Sequence, residues 1–183
     1  PDETRDHNPS KVFLDEPLPE NLPVASSCQP CNAGFSDDEE YVACLLECVV
    51  AGHAEPERMS RPSIGRSIAA NRRLQRELIA ARTEQEGQLI WTPDGGRVRR
   101  VALKLARGLV DFELNEPRLS EPEHVGIAPL MLLSEDARRE FEGEHGGFAL
   151  WPEIGSRAFH RLLGDHEDSF NNGWIVVQRN RFR

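Results

Sequence analysis

The chain has 183 residues, 38% of them hydrophobic, and a formal net charge of -9. That length suits one domain or a small module with an extension, and no apolar run approaches the roughly 18 residues that a membrane span needs. The overall negative charge argues against a strong, nonspecific nucleic-acid binder.

Charge is unevenly spread. Residues 1–60 hold 3 basic and 13 acidic groups, residues 61–110 hold 11 and 4, and residues 111–183 hold 8 and 14. The middle third is therefore a basic segment inside an acidic chain. Cys28, Cys31, Cys44 and Cys48 crowd into one short stretch and the rest of the chain has no cysteine. A secreted disulfide framework spreads its staples, so the clustering favours reduced thiols and a cytoplasmic protein. The polar, acidic start "PDETRDHNPS" has no leader-like apolar stretch.

Residues 1–35 read as largely irregular, because Pro9, Pro17, Pro19, Pro23 and Pro30 break any long helix. "KVFLD" and "ENLPVAS" are the candidate short strands. Ser36 then opens a helix through the capping box "SDDE", with Asp37 to Glu39 at the positive end of its dipole. Tyr41, Cys44, Leu45, Cys48 and Val49 share its apolar face, and Gly52 stops it. After a linker at 56–62, one or two helices run to about Gly87. "QLIWTPDGGRV" holds a turn at Asp94-Gly95-Gly96 that suits a hairpin. A helix spans Arg97 to Leu114, with Val98, Val101, Leu105, Leu109 and Phe112 on one side and Arg97, Arg100, Lys104 and Arg107 opposite. Ser134 caps a short helix, and "GWIVVQRNRFR" reads as a terminal strand. The fold class is α+β: an N-terminal module over 1–52, then a mostly helical extension over 53–183 with a small β element at its C-terminus.

Two stretches near the start carry the chemistry. Hydrolysis of a phosphodiester needs a base for water and a cation to offset the charge of the phosphate and leaving oxygen. In "RDHNPSK", Asp6 is a hard oxygen ligand for a Mg²⁺-like ion and His7 is the candidate base. On a regular strand the two would face opposite ways, so local geometry decides whether both can meet one metal. In "SSCQPCNAGFS", the Asn32 amide oxygen can complete that metal site, and Cys28 and Cys31 have metal-ligand spacing. A redox dithiol is the rival for this pair, but it needs a strand running directly into a helix, and a cap at Ser36 puts Asn32 and Gly34 in between. Asn21, midway between the stretches, can bond backbone and hold the His7 segment.

Asp6-His7, Asn21-Leu22 and Cys28-Gln29-Pro30-Cys31-Asn32 ahead of a helix resemble, in that order, the HNH endonucleases, whose fold is a ββα-metal finger. The resemblance covers about residues 4–50. It implies His7 as general base, Asn21 as the orienting residue, and Asp6 and Asn32 as holders of a catalytic Mg²⁺ or Mn²⁺. Many members bind a structural zinc through two such Cys pairs, which implies Cys28 and Cys31 as zinc ligands. No CxxC precedes Asp6 in this sequence, so the zinc site is incomplete in it.

The expected partner is nucleic acid, DNA before RNA, with Lys11, Arg97, Arg100, Lys104 and Arg107 as candidate phosphate contacts. The same cationic row also fits an ordinary wet helix face. Cys44 and Cys48 fit buried packing residues, and the loop around His166 fits surface polarity better than metal binding. Two other functions stay open: a noncatalytic zinc-finger-like binding module, and a subunit of a bacterial defence or mobile-element complex in which a protein partner supplies the DNA affinity.

Overall fold

The computed structural model describes residues 3–142, 152–164, 170–171 and 174–182. It is an α+β structure of six α-helices and three two-stranded sheets among those residues. The chain divides into two compact units: Pro1–Thr4 with Ser27–Leu103, and Arg5–Ser26 with Lys104–Arg183. None of the described helices is long and apolar enough to cross a membrane.

Strands β1 (Glu3–His7) and β2 (Val24–Cys28) pair, and β2 runs directly into α1 (Gln29–Ala51). This corrects the expected helix start at Ser36. The N-cap is Cys28, whose Sγ accepts from the Cys31 amide at 3.4 Å. Pro30 lies in the first turn, where its missing N–H has no intrahelical partner to lose. Ser36 lies inside the helix and donates from Oγ to the Asn32 carbonyl, a back-bond open to serine once its helix is formed. The other end follows the sequence: Gly52 adopts φ 74° and bonds back to Cys48 O.

In the first unit, α1 packs against α2 (Pro62–Ala70) and α3 (Arg72–Ala81). Buried residues recur one turn apart: Cys44 and Cys48, Ile64 and Ile68, Leu74 and Leu78. Gly65 is required by close approach, since a Cβ there would meet the Pro56 carbonyl oxygen at 2.5 Å. Strands β3 (Arg82–Gln85) and β4 (Gln88–Trp91) form a hairpin whose two-residue turn, Glu86 and Gly87, has positive φ at both positions. The expected turn at Asp94-Gly95-Gly96 is instead the start of α4 (Gly95–Leu114). Asp94 Oδ1 accepts from the amides of Gly96 and Arg97 at 2.9 and 3.1 Å.

One ion cluster ties three helices of this unit. Asp38 of α1, which is buried, accepts from Arg97 at 2.7 Å and from Arg100 at 2.6 Å. Arg97 also donates to Glu77 of α3 at 2.9 Å and lies 4.2 Å over the Tyr41 ring. The Tyr41 hydroxyl in turn accepts from the Asp94 amide.

In the second unit, "KVFLD" forms a 3₁₀ turn over Lys11–Phe13 rather than a strand, and buries Phe13 and Leu14. The end of the chain ties to it: Gln178 exchanges hydrogen bonds with the Asp15 backbone at 2.8 Å each way, and Arg181 donates to Phe13 O. Ser134 caps α5 (Glu135–Glu142), as its sequence implies, and Ser156 caps α6 (Arg157–Leu163). Buried Glu113 accepts from Nε and Nη2 of Arg161 at 3.0 Å each. The terminal strand is short: β5 (Phe170–Asn171) pairs with β6 (Trp174–Ile175), and Gln178 bridges back to Phe182.

The two arginines, Arg100 first and then Arg97, hold the Asp38 carboxyl below the usual carboxylate range against the opposing effect of burial. A depressed folded pKa gives stability that is complete above the unfolded value, about 4, and is lost as pH falls through the folded one. Asp38→Asn should therefore lower the melting temperature by several degrees at pH 7. The gap from wild type should narrow below about pH 4, as followed by thermal unfolding across pH. A gap that stays constant down to acid pH would contradict this assignment.

Candidate functional site

Asp6 and His7 end β1, where alternation sends neighbouring side chains to opposite faces. Asp6 meets a cation of the protein itself. Lys104 Nζ lies 2.9 Å from Asp6 Oδ1, 2.8 Å from Oδ2 and 3.0 Å from Ser10 Oγ. The two charged side chains are 12% and 7% exposed. Ser10 Oγ in turn donates to the His7 carbonyl at 3.4 Å.

The His7 imidazole has a buried Nδ1 with no hydrogen-bond partner among the described residues. Burial, and then the charges of Lys11 and Arg5, hold its pKa below the ordinary value against the pull of Asp6. Burial and these charges thus favour the neutral ring.

Sequence reasoning missed Asn8. It is almost fully buried; its amide bonds Pro23 O at 2.8 Å and its Nδ2 bonds Leu105 O at 2.8 Å. Asn21, the expected orienting residue, is exposed in the turn before β2. Asn8, rather than Asn21, fastens the end of β1. Its carboxamide fits because residue 108 is glycine: a Cβ on Gly108 would collide with Asn8 Nδ2 and Cγ. The sequence signal for it is an asparagine beside the Asp-His pair.

Cys28 and Cys31 come together in the first turn of α1. Hydrogen bonds from Cys31, side chain first and then backbone, lower the Cys28 pKa, while the same contact raises that of Cys31. The pair sits directly between β2 and α1, which corrects the expectation that the strand-to-helix junction is absent here. Asn32 follows within the same turn, and its Nδ2 donates to Thr4 Oγ1 at 3.4 Å. Cys44 and Cys48 are fully buried packing residues. Burial, with nearby carboxylates adding, pushes Cys44 up to about 12 and Cys48 up to about 11.

The expected phosphate contacts on α4 have carboxylate partners. Arg97 and Arg100 hold Asp38, Lys104 holds Asp6, and Arg107 donates to Ser120 O and Glu121 at 3.0 Å. Lys11 is exposed. The loop around His166 lies largely outside the described residues.

The donor set tests the implied metals. Among the described residues, no group of three or more His, Cys, Asp or Glu is placed to hold an ion. Asp6, the hard ligand, has both oxygens on an ammonium. As arranged, Asp6 does not fit a divalent ion, and a fit requires Lys104 to leave. Comparison of the chain with family models, with curated proteins and with solved structures finds no match. The site is thus read on its own residues.

Iodoacetamide at neutral pH should alkylate Cys28 and Cys31 in the native protein and leave Cys44 and Cys48 until unfolding, as peptide mass spectrometry would record. Equal labelling of all four would contradict the burial described. Gly108→Ala should cost about 1–3 kcal/mol of stability through overpacking against Asn8. Denaturant midpoints measure this, and an unchanged midpoint would refute the close contact.

Proposed function

We propose that the chain is an endonuclease of HNH type that hydrolyses phosphodiester bonds in DNA. His7 takes the proton from water, and Asp6 would hold Mg²⁺ or Mn²⁺ once Lys104 has left it. Cys28 and Cys31 would supply two ligands of a structural zinc.

The observation that carries the reading is the buried Nδ1 of His7, which, like the neighbouring Asn8 Oδ1, has no hydrogen-bond partner among the described residues. Leaving a buried polar atom unbonded costs about 1–3 kcal/mol, and a catalytic acceptor is one recognised reason for it to persist. The order of elements lends support: the Asp-His pair ends β1, β2 is its partner, and α1 opens with Cys28, Cys31 and Asn32.

A second reading, a noncatalytic binding module, is favoured by the commitment of Asp6 to Lys104. A plasmid-nicking assay with Mg²⁺ or Mn²⁺ separates the two. The wild type should convert supercoiled to open-circular DNA, and His7→Ala should lose at least a hundredfold, about the lower bound for a general base, while its circular dichroism stays unchanged. Equal rates in the two proteins would remove the catalytic reading and leave the binding module.

A further inference from the structure

Two cysteines close a disulfide readily when the backbone already holds them side by side and solvent reaches both. Cys28 and Cys31 meet both conditions. Cys31 is exposed and Cys28 is half-buried. Cys28 Sγ lies 3.4 Å from the Cys31 amide nitrogen, and the Cys31 thiol hydrogen-bonds the same sulfur. Side chains three apart on a helix have Cβ atoms about 5–6 Å from each other, and a disulfide needs about 3.5–4.5 Å. The remaining shift falls on Cys28, the N-cap, whose ψ of 149° lies outside the helical turns.

The surroundings fix the pair from both sides. The Thr4 hydroxyl donates to the carbonyl of Ser27, just before Cys28, at 3.0 Å. It accepts from Nδ2 of Asn32, just after Cys31, at 3.4 Å. Pro30, between the two cysteines, has its φ set by its own ring. The buried face of α1 anchors the turn to α2 and α3. Cys44 and Cys48 are fully buried, so an external oxidant meets only the first pair. Among the described residues no third His, Cys, Asp or Glu joins that pair in a metal-holding group.

We propose that Cys28 and Cys31 form a reversible dithiol–disulfide centre that exchanges with small-molecule disulfides. One cysteine sulfur attacks the external disulfide R–S–S–R, breaks its S–S bond and releases R–SH. The other sulfur attacks the mixed disulfide, closes the Cys28–Cys31 bond and releases a second R–SH. The two thiol protons leave with the two R–S groups. The protein pair is oxidised, the external disulfide is reduced, and excess R–SH reverses both steps. The inference goes beyond the nuclease reading, since neither His7 nor Asp6 enters it. Zinc ligation and the disulfide use the same two sulfurs and exclude each other at any one time.

The test equilibrates the full chain in mixtures of reduced and oxidised glutathione, quenches with acid and labels with iodoacetamide after unfolding. Chymotryptic cleavage after Phe35 and Tyr41 separates the two cysteine pairs for mass spectrometry. Cys28 and Cys31 should lose their labels together, and their peptide should lose two hydrogens without gaining glutathione. Cys44 and Cys48 should stay labelled. A synthetic peptide of residues 24–36, which holds only this pair, is the unordered reference. The equilibrium constant for closing the disulfide should be about tenfold or more larger in the protein than in the peptide. Thr4→Val, which removes both hydroxyl bonds, should shift the protein value toward that of the peptide. Cys28→Ser keeps a good N-cap and should retain glutathione on Cys31, because no second thiol displaces it. Equal constants in protein and peptide, glutathione persisting on the wild-type pair, a disulfide to Cys44 or Cys48, or zinc that leaves both thiols inert to oxidised glutathione would each overturn the proposal. No readout involves cleavage of DNA, so the nuclease reading stands or falls separately.

Discussion

A carboxylate withdrawn from water keeps its charge only if a cation or several donors replace the solvent. This protein carries 31 acidic side chains against 22 basic ones, and several acids lie inside. The helix α4 answers two of these carboxylates. Arg97 and Arg100 meet Asp38, and Lys104 meets Asp6. Glu113, near the end of the same helix, reverses the polarity and takes its cation from Arg161 of α6. Part of the basic excess of the middle third, Arg61, Arg97, Arg100 and Lys104, is thus an internal counter-charge.

That role explains why the cationic row of α4 is legible as a pattern without revealing its partners. Periodicity identifies which side chains share a face, and α4 runs over Gly95–Leu114, close to the expected 97–114. It says nothing about what the face meets. Asp6 and Lys104 are 98 positions apart, and no local rule links them. The same limit applies to Asn8 and Gly108, where a missing side chain on a helix makes room for a carboxamide from a distant strand end.

Local chemistry succeeded where one residue type has one strong preference. Gly52 ends α1 in a left-handed conformation and Ser134 caps α5. It failed where two readings compete. "SDDE" satisfies a capping box, yet α1 had already begun at Gln29. Cysteine is not a usual cap and Pro30 reads as a breaker, although in a first turn proline is tolerated. Asp94-Gly95-Gly96 suits a hairpin tip as well as a helix start. The hairpin took Glu86-Gly87, leaving Asp94 to gather the free amides of α4. The α+β class survived these shifts because it depends on element types rather than on their boundaries.

The internal use of cations constrains how this chain can approach a polyanion. Affinity for phosphate scales with the number of neutralised charges, and an arginine already held by a carboxylate must trade one partner for another. Arg97, 16% exposed and bonded to both Asp38 and Glu77, has little to gain from that exchange. Arg100, with more than half of its side chain in solvent, retains donors that face outward. Lys11, in the turn that follows His7, is exposed, as is Arg5 on β1. The exposed positive charge nearest in sequence to the Asp-His pair therefore flanks the pair itself and does not depend on the helix that sequence periodicity singled out. With the net charge of the whole chain at -9, long-range repulsion opposes capture of DNA, so under the nuclease reading recognition is short-ranged and sensitive to salt, resting on those few flanking cations.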